Sequence, residues 1–494
     1  MNHCLRMYYH PRGLRVAAVL SFGFVCILFL VADRRLVIIL SSSIRLDAEL
    51  ADDLLLIQLS PSLPNITKVQ GLRDNATASD DKRASKSHLH LLIPATTSNR
   101  DLCRLLFSAT ILNYPVPTLL NWGAPEDSDP FVQHLAKVNK ILTYLKGIPP
   151  GNEDDLVLIV DGYDVWFQLR SDVLIRRYFA VMQAADSRVA LELDPNVARK
   201  NDVRNTILFA ADKLCWPFRD GRRPACWAVP QSTLPANSFE PFDDSTASLA
   251  AGNAAQSRAR WLNSGLLMGP VGDIRALFEA TLKSIQSNYV IGSDQFYIAN
   301  LFGEQEYLRR LLKPDPDLPS AGSVEIPSID PGKRTEFHIA LDYESTIFQD
   351  IGAYGKFISW LRFNGSEGAA NLLQDGTPIT LHGFALHDDI AASPPPFSNE
   401  KNAHWAFGDD KGQTEIKSIL NSLPLDLSWR DIPLATNLVT KKAFALIHFT
   451  FENELRDAWW DIMWFYPHGR QLLQASITPS KAPILEVPIG GHMI

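Results

Sequence analysis

Two carboxylates, Asp161 and Asp164, stand three residues apart in the segment LVLIVDGYDVWFQL, directly after five unbroken apolar residues at 156–160. Carboxylate oxygens are hard ligands suited to Mg2+ or Mn2+, ions that commonly bridge the oxygens of diphosphates. An apolar run without polar alternation is the pattern of a strand covered on both faces, as in a parallel sheet under helices. Open α/β sheets bind ligands beyond the carboxyl ends of such strands, which is where this pair falls. An ordinary turn is the competing reading, because Asp and Gly both favour turns and Asp caps backbone N–H groups.

The elements that position the pair read as alternating strands and helices. An apolar strand at 88–94 is followed by Leu102, Leu105, Leu106 and Ala109, a helical face that Ser98 or Asn99 can cap. A second strand at 116–122 precedes a second helical stripe, Phe131, Leu135, Val138, Leu142 and Leu145, which leads into the strand at 156–160. Strand, helix, strand, helix, strand with short connections makes a parallel array and a Rossmann-like half. Beyond the carboxylate pair, a helix is expected from 172 to 185 and a strand at 207–211, with a long surface insertion at 219–259. A further strand is expected at 260–269, then a helix capped by Asp273 and another opening at Ser293-Asp294. Pro394-Pro395-Pro396 marks a boundary, after which aromatics are frequent.

At 494 residues the chain is long enough for roughly two to three domains. Its net charge of −8 argues against a nucleic-acid partner, which would call for a basic surface. Five Cys are too few for a disulfide-built scaffold. Cys215 and Cys226 flank a Gly/Arg/Pro-rich loop and are expected to pair in an oxidising compartment, with Cys103 a buried free thiol.

Residues 16–32 form an uncharged apolar run, preceded by Arg6, Arg12 and Arg15, and residues 36–40 are apolar again. The reading is a cytoplasmic tail at 1–15 and an uncleaved transmembrane anchor at 16–40, oriented by the positive-inside rule. A cleaved secretory signal is the alternative. Residues 41–87 are polar and irregular, as a stem would be. Asn65, Asn75 and Asn364 head glycosylation sequons, in keeping with a lumenal chain.

Six blocks, in order, resemble the glycosyltransferase domain of procollagen galactosyltransferases and multifunctional lysyl hydroxylases. They are VDGYDVWF, FAADKLCWP at 209–217, RWLNSG at 260–265, SDQFY at 293–297, LDYESTIFQ at 341–349 and PITLHG at 378–383. The resemblance spans residues 89–383, and it implies a GT-A fold: a Rossmann-like half for a nucleotide-sugar and a second half for the acceptor. The domain would occupy 88–390, leaving 391–494 as an extension of unassigned role. In that family the two Asp of the turn and a downstream His hold Mn2+ on the donor's diphosphate; Asp161 and Asp164 match the turn and His382 matches the His. By the same resemblance Asn263 lies near the donor or acceptor sugar, Asp294 is the base or a stabilising carboxylate, and Asp212 and Trp216 border the acceptor cleft. Lys137 falls where the family has a donor-contacting Lys. An N-cap for Asp294, core packing for Trp216 and a solvated side chain for Lys137 are the plainer alternatives. Three departures stand out: His134-Leu135-Ala136 replaces the family's Gly run, the acidic run shrinks to Ser293-Asp294, and Phe384 replaces an Asn after His-Gly.

The expectation is a metal-dependent transferase, using Mn2+ or Mg2+ to move a hexose from a UDP-sugar to a hydroxyl on a protein or glycan. It would be a type II protein of the Golgi or endoplasmic reticulum membrane, its catalytic domain lumenal. His448, ending the strand-like ALIH, rivals His382 as third ligand. Two other classes compete. A catalytically decayed binder of sugar nucleotides or glycans would explain the altered donor loop. An Fe(II)/2-oxoglutarate oxygenase would use His387, Asp389 and His448 as a facial triad, with Arg456 for the co-substrate.

Overall fold

A computed structural model describes residues 86–124, 130–217, 221–239, 254–320, 322–328, 332–366, 368–371, 379–398, 421–477 and 487–488. The expected tail, anchor and most of the stem lie outside the described residues, as do the sequons at Asn65 and Asn75. Among the described residues no helix is long and apolar enough to cross a membrane. Asn364 is exposed.

The chain is a mixed α/β structure. Apart from a short antiparallel pairing of Lys86–Ser87 with Val487–Pro488, its strands are β1 (Leu89–Pro94), β2 (Thr118–Leu120), β3 (Leu156–Val160), β4 (Val165–Phe167), β5 (Ile207–Asp212), β6 (Trp261–Pro270) and β7 (Ile339–Asp342). They continue with β8 (Phe348–Asp350), β9 (Ile358–Arg362), β10 (Gly368–Asn371), β11 (Ile379–His382), β12 (Leu434–Asn437), β13 (Lys442–Ala443) and β14 (Leu446–His448). The longer helices are α1 (Arg100–Ile111), α2 (Pro130–Gly147), α3 (Ser171–Glu192), α4 (Val271–Ser287) and α5 (Asp294–Leu311).

A central six-stranded sheet runs β2-β1-β3-β6-β5-β7. The first three strands pair in parallel, as the alternating pattern predicts, and α1 is capped by Asn99, whose side chain accepts from the N–H groups of Asp101 and Leu102. Every residue of β3 is buried, so its five apolar side chains each gain about 1.5–3 kcal/mol from leaving water. The sheet is not parallel throughout: β6 runs antiparallel to both β3 and β5. Between β5 and β6 the ladder steps from Phe209↔Leu267 to Ala210↔Asn263. Ser264, Gly265 and Leu266 therefore have no partner on β5, while Leu266 still pairs with Val160 of β3, a bulge of the kind that re-aims side chains beside functional sites.

Two smaller sheets close the site end. One runs β4-β14-β8, and the other β11-β10-β9-β12-β13. The segment after residue 391 is thus built into the fold, since β12 pairs with β9 and β14 is inserted between β4 and β8. Several of its aromatics are core: Trp460 packs edge-on to Trp166, and Trp464 to Trp429.

Three local expectations are corrected. Asp273 does not cap α4, which starts at Val271; its carboxylate instead accepts from the Thr206 hydroxyl at 2.6 Å, a cross-element use that no helical pattern reveals. Of the expected surface insertion, residues 221–239 and 254–259 are described and include the buried Cys226 and Phe239, because the Cys215–Cys226 disulfide forms as expected and ties the loop down. Cys103 is disulfide-bonded as well, not a free thiol; its burial alone does not separate the two states.

Candidate functional site

The turn after β3 is held from four directions. Asp161 donates its N–H to the Gly265 carbonyl at 2.9 Å, and the Asp164 carbonyl accepts from Phe449 N–H at 2.8 Å. Tyr163 lodges its hydroxyl against the backbone of Thr96 and Thr97, and the Arg456 guanidinium donates to the Tyr163 carbonyl. Gly162 is required by close approach, since a Cβ there would collide with the Pro94 carbonyl. A turn pinned so firmly presents both carboxylates in fixed positions.

His448, at the end of β14, completes a group with them. One ligand atom from each of Asp161, Asp164 and His448 lies within 4.8 Å of the others. His448 sits there because its strand pairs with β4, placing it opposite Val165 and next to Asp164. Its Nε2 is 3.3 Å from Asp164 Oδ2. The two carboxylate side chains keep 34% and 29% of their surface open, whereas His448 keeps 5%, so the group faces solvent through its oxygens.

Charge is balanced by two cations. Lys137, from α2, is buried, with Nζ 2.6 Å from Asp161 Oδ1 and 3.1 Å from Asp294 Oδ2. Burial opposes its charge, but the two carboxylates outweigh that and raise its pKa. Burial pushes the Asp161 carboxyl up against the pull of Lys137. Burial acts the same way on Asp164, yet the charge and hydrogen bond of His448 prevail and hold it below the usual range. The imidazole gains correspondingly: burial disfavours its charge, but Asp164 and then Asp350 and Asp161 raise it to about 9.

Two carboxylates and an imidazole fit an oxygen-preferring divalent ion such as Mn2+, with coordination positions left over for diphosphate oxygens. Binding such an ion requires neutral His448, which is protonated below about pH 9 when it has only the carboxylates for company. Apparent Mn2+ affinity should therefore climb with pH between 6 and 8, by up to about tenfold per unit, with about one proton released per ion. Calorimetry in buffers of different ionisation enthalpy checks this, and a flat profile without proton release would remove His448 from the ligand set.

A second polar cluster lies behind the first. Asn263 accepts from Gly265 N–H at 2.8 Å through Oδ1 and donates to Asp350 Oδ2 at 2.9 Å through Nδ2. Asp212 ends β5 on the other side; burial and then the Asp350 charge raise its carboxyl to about 8. The folded protein thus keeps a proton that the unfolded chain releases near the ordinary carboxylate value, so stability falls as pH climbs from 3.8 to about 8. Asp212→Asn should relieve this. We expect the variant to be more stable than the parent at pH 8, by roughly 1–2 kcal/mol, with the advantage shrinking toward pH 4. Thermal melts across that range test it, and an equal gain at every pH would rule out titration as the cause.

The residues singled out in the sequence divide clearly. Asp161, Asp164 and Lys137 form one cluster with Asp294, whose side chain pairs with Lys137 while Ser293 occupies the N-cap position of α5. Asn263 and Asp212 form the adjoining one. Trp216 is partly exposed and meets Phe451 edge-on, with ring centroids 5.9 Å apart, so it is not core. His382 does not join Asp161 and Asp164: it ends β11, the edge strand of the five-stranded sheet, and is exposed. The imidazole placed beside the two carboxylates is that of His448, whose strand reaches them through pairings with the much earlier β4 and β8. The iron pattern is not assembled either. Asp389 is ion-paired with Arg177, His387 faces the Lys441 carbonyl, and Arg456 binds Asp101. Asp350 and Thr450 adjoin His448 without any sign in the sequence, because a buried Asp ending the short β8 leaves no periodic signal.

No protein-family model matches the chain, and no curated protein matches it either.

Proposed function

We propose that the protein is a metal-dependent glycosyltransferase of the GT-A type, transferring a hexose from a UDP-sugar to a hydroxyl on a protein or glycan acceptor. The observation that carries this reading is the convergence of Asp161, Asp164 and His448 within 4.8 Å at the carboxyl end of a buried strand. The six blocks that resemble the collagen-modifying transferases supply the substrate class. When bound, Mn2+ or Mg2+ would offset the charge that builds on the departing UDP. Lys137, held 2.6 Å from Asp161, sits where it can add a second positive charge to the same diphosphate. In the transfer the acceptor oxygen bonds to the sugar's anomeric carbon as the bond to the diphosphate breaks, and UDP leaves with the electron pair. Asp212 in its ionised form, which its raised carboxyl reaches as pH approaches about 8, suits the hydroxyl proton that is released. Asp294 is tied to Lys137 and suits holding that cation in place. Asn263 then orients the sugar or the acceptor at the bulge of β6.

A lumenal, type II arrangement in the Golgi or endoplasmic reticulum remains part of the proposal; the Cys215–Cys226 bridge supports an oxidising compartment. A screen of sugar nucleotides reading UDP release, with Mn2+ and with EDTA, tests the function. If the purified chain neither binds nor hydrolyses any sugar nucleotide, and Asp161→Ala alters nothing, the transferase reading is wrong. Metal-dependent binding without turnover would instead favour a binding protein.

A further inference from the structure

Two aromatic rings stand in solvent at the rim of the site, one from each flank. Trp216 lies just beyond Asp212, on the loop that leaves β5, and keeps 45% of its surface exposed. Phe451 lies just beyond His448, on the turn that leaves β14, and keeps 80%. That turn is anchored to the site. Phe449 N–H donates to the Asp164 carbonyl at 2.8 Å, and Glu452 N–H closes back on the Phe449 carbonyl at 3.1 Å. On the other flank Leu214 N–H donates to Asp212 Oδ1 at 3.0 Å, which fixes the start of the Trp216 loop. The rings meet with centroids 5.9 Å apart and planes at 66°, so they form two walls of an open corner.

The fold itself has little use for this arrangement. Phe451 has a φ of +61°, a conformation that a bulky side chain adopts only at a cost and that glycine would hold freely. Its ring recovers little by burial, since most of it stays in water. Backbone strain kept at a residue that adds so little to the core points to a ligand contact. The ligand must bring a flat apolar face to the rings and a hydroxyl toward Asp212. A pyranose ring does both, because its C–H groups gather on one face and its hydroxyls surround the rim. A serine or threonine side chain has the hydroxyl but too little apolar surface to cover the corner.

We propose that Phe451, with Trp216 as the adjoining wall, stacks on the apolar face of a hexose ring of the acceptor, so that the hydroxyl which receives the sugar belongs to a glycan. The inference rests on the transferase reading, within which it narrows the acceptor to a carbohydrate.

Saturation-transfer NMR on the full chain with Mn2+ tests it, using methyl glucoside, methyl galactoside and methyl mannoside as probes and acetyl-serine amide as the sugar-free comparison. At least one hexoside should take up saturation on the C–H protons of one face, and acetyl-serine amide should not. Phe451→Ala and Phe451→Leu should each weaken that hexoside by roughly three- to tenfold, while Phe451→Tyr stays within about twofold of the parent. The leucine variant keeps apolar bulk and removes only the ring. In turnover, Phe451→Ala should raise the KM for the hexoside and leave that for the UDP-sugar in place. Parent-like hexoside binding in folded Phe451→Ala or Phe451→Leu overturns the stacking role and leaves the transferase reading standing. Binding of acetyl-serine amide without any hexoside overturns it too, and makes the acceptor a polypeptide. If no UDP-sugar is turned over but hexoside binding is still lost in Phe451→Ala, the transferase reading fails and the sugar-binding corner stands.

Discussion

Replacing His448 with alanine is expected to weaken Mn2+ binding by at least about a hundredfold, while replacing His382 leaves it within about twofold of the parent. The contrast comes from placement. His448 lies 3.3 Å from Asp164 and is nearly enclosed, whereas His382 is exposed at the edge strand of another sheet. Two carboxylates alone remain a weak, partly open site, because Lys137 already engages Asp161 Oδ1 and competes for its charge. His448→Ala also removes the cation that offsets Asp164, so the metal-free variant should lose stability that the parent shows below pH 6.5 and surrenders as pH rises through about 9. Titration of Mn2+ by its electron paramagnetic resonance, on both variants, checks the prediction. A large loss with His382→Ala and none with His448→Ala would reverse the ligand assignment and return the third ligand to the PITLHG block.

Why the residues did not all reveal themselves is a matter of range. Asp161 and Asp164 are legible because their setting is local: five apolar residues make a buried strand, and the carboxyl end of such a strand in an α/β sheet is where ligands bind. Asn99 could be read as a cap for the same reason, from the next three residues. Lys137 could be placed only by likeness, since a single Lys on a helix carries no sign of the two carboxylates that bury it. His448 and Asp350 lie at the ends of three-residue strands, and only the pairing of β4, β14 and β8 brings them together. Such pairings are chosen by the packing of the whole core, through contacts like that of Trp166 with Phe449, and leave no spacing to detect. The polar, Pro-broken stretch near 391 had the look of a domain boundary, yet the strands beyond it carry the imidazole on which the site depends.

Gly265→Ala should be nearly as damaging to the centre as loss of a ligand. In most strands the exchange is mild, and alanine lowers the entropy of the unfolded chain by the equivalent of about 0.4–1 kcal/mol. Gly265 is different because two of the proposed ligand side chains, those of His448 and Asp161, converge on the space above it. A Cβ there would overlap His448 Cε1, lie 2.8 Å from His448 Nε2, and stand 3.0 Å from Asp161 Oδ2. Neither neighbour can retreat freely: His448 is fixed in the ladder between β4 and β8, and Asp161 is tied to the Gly265 carbonyl and to Lys137. The methyl must therefore push the imidazole away from the carboxylates, the one displacement that opens the group. We expect a cost of about 1–3 kcal/mol in stability, as for other overpacked sites, together with Mn2+ affinity reduced by roughly a hundredfold. Circular dichroism and thermal melting would show a folded variant; Mn2+ titration and metal-stimulated UDP release would show the loss. If folded Gly265→Ala bound Mn2+ as the parent does, the atoms that converge above Gly265 could not be the ones that hold the ion, and Asp161 would have to act from its other oxygen or through the sugar.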